Sequence, residues 1–388
     1  MALQISSPIV RRLPGLDLLR AVAIGWVMLY HASLYDLVPG GNWPVDFGWM
    51  GVDLFFVLSG FLIASQLLRP WAAGERPDYG RFFLRRAFRT LPAYAVVLAV
   101  YALVPAARDR DHMQPLWTFL TFTQNFTIHI APAQAFSHAW SLCVEEQFYL
   151  VFPLAVALLA IRPSAAKAMT ALVAILVLGM ALRGWFWLHD VARTPFDLAA
   201  DPRPGRYMHL IYYPTWTRLD GLLAGIGAAL LMTFRPGVWR VLSGRPNLLL
   251  ASGLVGVGGA ILLFGDQIAG FYGAVFGYPL LSVSMAALVI AGSSAKSVIG
   301  RRAIPGAGAL AAASYSLYLS HKSVYHWAGT LPITADLKPF ILPVAILAAL
   351  AVGAVLYRLV ERPFLDLRDR LSQPTARSLA AVAVIDAA

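Results

Sequence analysis

A single cysteine, Cys143, stands in 388 residues, which excludes a disulfide within the chain and any cysteine-based metal cluster. No HxxxH-type spacing links the eight histidines, so the chain carries no zinc-site signature either. Charge is scarce: Asp, Glu, Lys and Arg make up 13% of the residues, about half the share of an ordinary globular chain. Acidic residues are the scarcer sign, 20 against 31 Lys and Arg, leaving a formal charge of +11. Internal repeats and low-complexity tracts are absent, and nothing reads as a separate soluble domain. What fills the chain is apolar side chain, 59% of all residues, with a mean hydropathy of +0.66. A soluble fold has too little interior to hide that much apolar surface, so lipid must cover the rest.

A helix needs about 20 mostly apolar residues to cross a bilayer. Runs of this kind lie at 16–35, 51–69, 87–107, 141–161, 168–188, 214–234, 247–264, 272–292, 309–328 and 339–357. They predict an all-α polytopic membrane bundle of about ten spans over residues 1–370, with a flexible cytoplasmic tail at 371–388. Arg11 and Arg12 precede the first run, and no small-residue cleavage site follows it, so it reads as a retained helix. The stretch 116–137 is aromatic but holds Gln124, Asn125 and His129 and is interrupted by Pro132, which predicts an amphipathic segment along the outer interface. The basic residues test this count. With about ten spans and an inside N-terminus, Arg235, Arg240, Arg245, Arg301, Arg302, Arg358 and most other downstream cations fall inside, against Arg193, Arg203, Arg206 and Lys338 outside. The positive charge is thereby a topology signal, and nucleic acid is not an expected partner.

Ionisable side chains within a span are costly, so each is a candidate functional group. Arg20 and His31 share the first span, roughly 16 Å apart along one helical face. A histidine at that depth can be a general base or a hydrogen-bonded structural residue. Asp53 opens the second span, Glu145 and Glu146 lie near the outer end of the fourth, Arg218 and Asp220 in the outer half of the sixth, and His321 in the ninth. Their similar depth predicts one shared cavity, although pairs such as Arg218 with Glu145 could instead hold the bundle closed. At the opposite face Arg85, Arg86 and Arg89 cluster where the third span begins, suited to phosphate oxygens or to lipid headgroups. Cys143 reads as a packed, inert thiol.

In order along the chain, GLDLLRAVAIGWVMLYH, GVDLFFVLSGFLI, FFLRRAFRTLPAY, HAWSLCVEEQFYLVFP, TRLDGLLAG, SYSLYLSH and VERPF resemble the motifs of the acyltransferase-3 family of bacterial inner-membrane O-acyltransferases. The resemblance covers Gly15 to about Phe364. It implies transfer of an acyl group, usually acetyl from acetyl-CoA, to a sugar hydroxyl of a surface polysaccharide or glycoside. It also makes Arg20 and His31 the family's hallmark pair and matches Glu145, Arg85, Arg86 and Arg89 to its other polar motifs. The chain departs from the pattern after His321, where Lys322 and Ser323 stand in place of a nearby proline. An esterase-like extracytoplasmic domain, appended in some relatives, has no counterpart, so the acyl group would be delivered unaided or handed to a separate protein.

These readings predict acyl-CoA entering from the cytoplasm, its phosphates held by Arg85, Arg86 and Arg89 and the cofactor bound further along the channel by Arg20. The thioester would approach His31, with Glu145 orienting the imidazole, and the acceptor would meet Asp53, Arg218, Asp220 and His321. No metal is called for. A transporter or flippase of a lipid-linked sugar is the rival reading, in which the same groups bind without chemistry; the inverted repeats common in transporters are missing.

Overall fold

The computed structural model describes residues 13–129, 134–161, 164–194, 202–265, 270–332 and 338–371. Arg11, Arg12, Pro132, Arg162 and the tail beyond Leu371 lie outside the described residues. Every regular element among the described residues is helical: α1 Pro14–Ser33, α2 Met50–Ala72, α3 Tyr79–Leu103, α4 Trp140–Ile161, α5 Ala165–Phe186, α6 Asp220–Phe234, α7 Pro236–Gly244, α8 Pro246–Phe264, α9 Tyr278–Gly292, α10 Ala307–Thr330, α11 Lys338–Leu356 and α12 Arg362–Leu371.

The protein is a polytopic membrane helix bundle, and burial separates its inner from its outer helices. The apolar window of α2 is 78% buried within the protein, whereas that of α5, though more hydropathic, is only 6% buried. Val173, Ile175, Val177 and Leu178 of α5, like Val344, Leu347 and Val355 of α11, face outward where water would penalise them. Among the described residues, seven helices are long and apolar enough to cross a membrane; α6 and α7, bent by 112° at Arg235–Pro236, add an eighth if they form one span. Residues before proline avoid the helical region, which accounts for the break. The remaining two expected spans, α1 and α10, have 20 and 24 residues but carry the polar groups of the site.

Local sequence sets the register. Asp78 caps α3 by accepting the Arg81 N–H at 2.8 Å, so this helix starts well before the expected 87. Arg85, Arg86 and Arg89 consequently lie about two to three turns inside it, not at its start. Gly60 and Gly225 let α2 and α6 touch backbone to backbone: a Cβ at Gly60 would collide with the Leu222 carbonyl, and one at Gly225 with that of Val57. Small residues are the usual means of such close helix approach in lipid.

The stretch 116–137, in its described parts 116–129 and 134–137, forms no membrane-length helix. It is a cap of short turns whose polarity is the reverse of a surface amphipathic helix: Gln124 and Asn125 are buried while Leu116, Trp117 and Leu120 point outward. Asn125 is held by the Tyr213 carbonyl and Thr215, and Gln147 of α4 donates to the Phe122 carbonyl.

Candidate active site

A cavity of about 460 Å³ opens between α1, α2, α3, α4, α10 and the C-terminal helix. Arg20, Arg86 and Arg89 line it, joined by Arg368 of α12, while Arg85 is not among its lining residues. One helical position decides this, because neighbours on a helix differ in direction by about 100°. Arg20 has only a loose partner, Asp17 at 3.7 Å. The Arg86 guanidinium stacks over the Tyr149 ring at 5.7 Å, and its buried Nε has no protein partner. Arg89 is bound to Glu361, which sits on the π-helical turn Tyr357–Glu361 and also accepts a 2.6 Å bond from Ser316.

Deeper in, Glu145 accepts from Ser59 at 2.7 Å and from Tyr149 at 3.0 Å. These are its hydrogen-bond partners, so it does not orient His31 as the sequence suggested. The innermost wall is Ser141 and Tyr318, whose hydroxyls are 2.7 Å apart; Tyr318 also donates to the His138 carbonyl at 2.9 Å. Behind that wall stand three imidazoles. His31 Nδ1 and His321 Nε2 are 2.7 Å apart with rings inclined by only 19°. The His138 ring lies 6.1 Å from that of His31 and 5.6 Å from that of His321. The Tyr318 ring is within 6.1 Å of His321 and 5.5 Å of His138, so cavity and histidines share a wall one ring thick.

The segments between α3 and α4 hold this cluster in place. Lys322, next to His321, binds Asp109 at 2.8 Å and Ser137 at 3.0 Å; Asp109 also accepts from Tyr35 at 2.8 Å and from the Phe136 N–H at 2.9 Å. Burial alone would raise the Asp109 carboxyl, but the Lys322 ammonium, His138 and these hydrogen bonds hold it below the ordinary carboxylate range.

The expected single cavity containing Asp53, Arg218 and Asp220 is corrected by the packing. Arg218 is 1% exposed, bonded to Asp53 at 2.8 Å and enclosed by Trp140, Tyr212 and Tyr278. Asp220 is gripped through both oxygens, at 2.7 and 2.9 Å, by Arg183. Arg183 further donates to the Thr217 and Ala274 carbonyls, tying α5, α6 and the turn before α9 together. None of the four lines the cavity, and buried charges paired in this way act as ties. The alternative pair of Arg218 with Glu145 does not form. Among the described residues, no group of three or more His, Cys, Asp or Glu could hold a metal ion.

A family model described as an acyltransferase domain matches residues 13–358. The chain belongs to this acyltransferase-3 family. It is 26% identical over 384 residues to "O-acetyltransferase OatA" of Staphylococcus aureus (strain NCTC 8325 / PS 47), covering 91% of this chain and 57% of that protein. It is 30% identical over 235 residues to "Putative peptidoglycan O-acetyltransferase YrhL" of Bacillus subtilis (strain 168), covering 57% of this chain and 33% of the relative. With "Peptidoglycan O-acetyltransferase OatA" of Listeria monocytogenes it shares 29% over 234 residues, covering 57% and 34%. The chain thus spans little more than half the length of the staphylococcal relative. No solved structure matches it.

Within this acyltransferase-family chain, sequence reasoning missed Arg183, Glu361 and Arg368 as members of polar clusters, and it took His138 for an interfacial residue that could touch a substrate, whereas its ring is buried beside His31 and His321. Arg183 carried a signal, since a cation deep in the apolar run of α5 demands a partner. Glu361 stood in the quoted VERPF motif without a role. Arg368 carried none, because only the fold of the C-terminal helix brings it to the cavity mouth.

Proposed function

We propose that the protein transfers an acyl group, acetyl in the first instance, from acyl-CoA to a hydroxyl of a carbohydrate at a bacterial inner membrane. The observation that carries this reading is a cation-lined cavity whose wall residue Tyr318 packs against His138 and His321, the latter bonded to His31. Arg20, Arg86, Arg89 and Arg368 suit the phosphates of the donor, and a cavity of about 460 Å³ suits its slender thioester arm better than the whole nucleotide. Arg85 is left to lipid headgroups. The starts of α1, α3 and α10 share the cavity mouth, which agrees with both termini in the cytoplasm and about ten crossings. The names of the relatives support a surface polysaccharide such as peptidoglycan as the acceptor.

The reaction follows from the groups available. Rotation of Tyr318 away from Ser141 joins the cavity to His31. The His31 imidazole takes the proton from the acceptor hydroxyl as its oxygen attacks the thioester carbonyl. The tetrahedral intermediate then expels the CoA thiolate, which receives that proton from His31. The same imidazole can carry the acyl group transiently, with water excluded by the surrounding aromatics. Purified protein in detergent, given acetyl-CoA and a soluble peptidoglycan oligosaccharide, should release free thiol only when both are present. Thiol release that His31→Ala leaves unchanged would remove the imidazole from the reaction, and binding of the sugar without thiol release would favour a flippase.

A further inference from the structure

The polar partners of the imidazole pair fix where its hydrogens sit. His321 Nδ1 lies 2.8 Å from the Leu317 carbonyl oxygen, one turn earlier in α10. A carbonyl has no hydrogen to give, so His321 Nδ1 must donate. A neutral imidazole carries one N–H, which leaves His321 Nε2 as an acceptor. Its partner at 2.7 Å, His31 Nδ1, must then be the donor. The only ring nitrogen of His31 left with a free lone pair is Nε2. A main-chain carbonyl in one helix therefore selects, through a second imidazole, the basic nitrogen of the first.

We propose that His321 is a positioning residue that holds His31 in the tautomer protonated at Nδ1, making Nε2 the atom that accepts the hydroxyl proton. The role assigned to that nitrogen rests on the proposed acyl transfer; the tautomer itself does not. The arrangement takes the place of the carboxylate that orients histidine in hydrolase triads. The nearest carboxylate, Asp109, is engaged with Lys322, Tyr35 and the Phe136 N–H. His138 is oriented in the same fashion: its Nε2 faces the Leu319 carbonyl at 3.3 Å, and its buried Nδ1 has no protein partner. Three tyrosines also face the pair: the Tyr30 ring lies 5.5 Å from that of His31, and those of Tyr325 and Tyr318 lie 5.7 and 6.1 Å from that of His321. During transfer the proton passes from the acceptor oxygen to His31 Nε2 and onward to the departing sulfur. The imidazolium formed in between has its Nδ1–H already bonded to His321, a contact that strengthens when the donor is charged.

The test is nitrogen-15 NMR of the full-length protein in lipid, labelled at histidine, with His31→Asn used to assign the His31 signals. The expected spectrum has His31 protonated at Nδ1 and bare at Nε2, with His321 the same. His321→Leu should release His31 into a mixture of tautomers and lower kcat about 100-fold with little change in KM for acyl-CoA. His321→Gln, whose amide oxygen can accept from His31, should recover the tautomer and part of the rate. A wild-type His31 protonated at Nε2, a doubly protonated His321, or an unchanged tautomer in His321→Leu would overturn the proposal. The wild-type spectrum decides even if a variant fails to fold. Should the tautomer be as expected while His31→Ala still transfers acyl groups, the catalytic role of His31 fails and the tautomer assignment stands.

Discussion

Replacing Asp109 by asparagine should cost the fold about 3–5 kcal/mol, the usual penalty for removing one member of a buried ion pair. Asp109 is 0% exposed and Lys322 5% exposed, so the change strands an ammonium group that then has only Ser137 for a partner. Lys322→Met should cost a comparable amount, because the carboxylate keeps two donors, Tyr35 and the Phe136 N–H, but loses its counter-charge. The double variant should recover about 2 kcal/mol or more relative to the sum, since neither charge is left alone. Denaturant unfolding in detergent micelles, followed by circular dichroism, measures all three. Asp109 also sets a pH dependence. Its carboxyl lies below the ordinary value when folded, so the pair stabilises fully above about pH 4 and is lost as pH falls toward the folded value. The Asn variant should lack that acid-side loss. Single substitutions that each cost under about 1 kcal/mol and simply add would refute the claim that this pair pins the segment between α3 and α4 to α10.

Arg86→Ala should raise KM for acyl-CoA about 10- to 100-fold with a smaller effect on kcat, matching the roughly 1.5–3 kcal/mol of a hydrogen bond to a charged group, as steady-state kinetics would read. Arg89→Ala should add a loss of stability, because it leaves Glu361 buried with only Ser316, and thermal unfolding separates the two variants. Gly60→Ala should destabilise by about 1–3 kcal/mol, since its methyl would meet the Leu222 backbone, which cannot yield as a side chain would. An unchanged unfolding midpoint for that variant would contradict the close packing of α2 on α6.

Depth along a helix was readable from the sequence; rotation about its axis was not. Apolar runs located every helix long enough to cross, and the position of His31 within its run placed it at the level of His321. Partner choice depends on which way neighbouring helices face, so Asp53 found Arg218 and Asp220 found Arg183, in a packed core and outside the expected cavity. The same limit separated Arg86, which lines the cavity, from its neighbour Arg85, which does not. Within 116–137 the described residues form only short turns. The inward-facing Asn125 was illegible because its partners, Tyr213, Thr215 and Gln147, arrive from later in the chain.

The central claim is that the donor occupies the cation-lined cavity and presents its thioester to the wall shielding His31. A photoreactive acyl-CoA, cross-linked to the purified protein and mapped by mass spectrometry, tests this directly. Labels should fall on the cavity faces of α2, α4 and α10, at residues such as Leu62, Leu142 and Tyr315, and vanish with excess unlabelled acyl-CoA. Competable labelling confined to the outer segment 104–129, with those helices untouched, would contradict it.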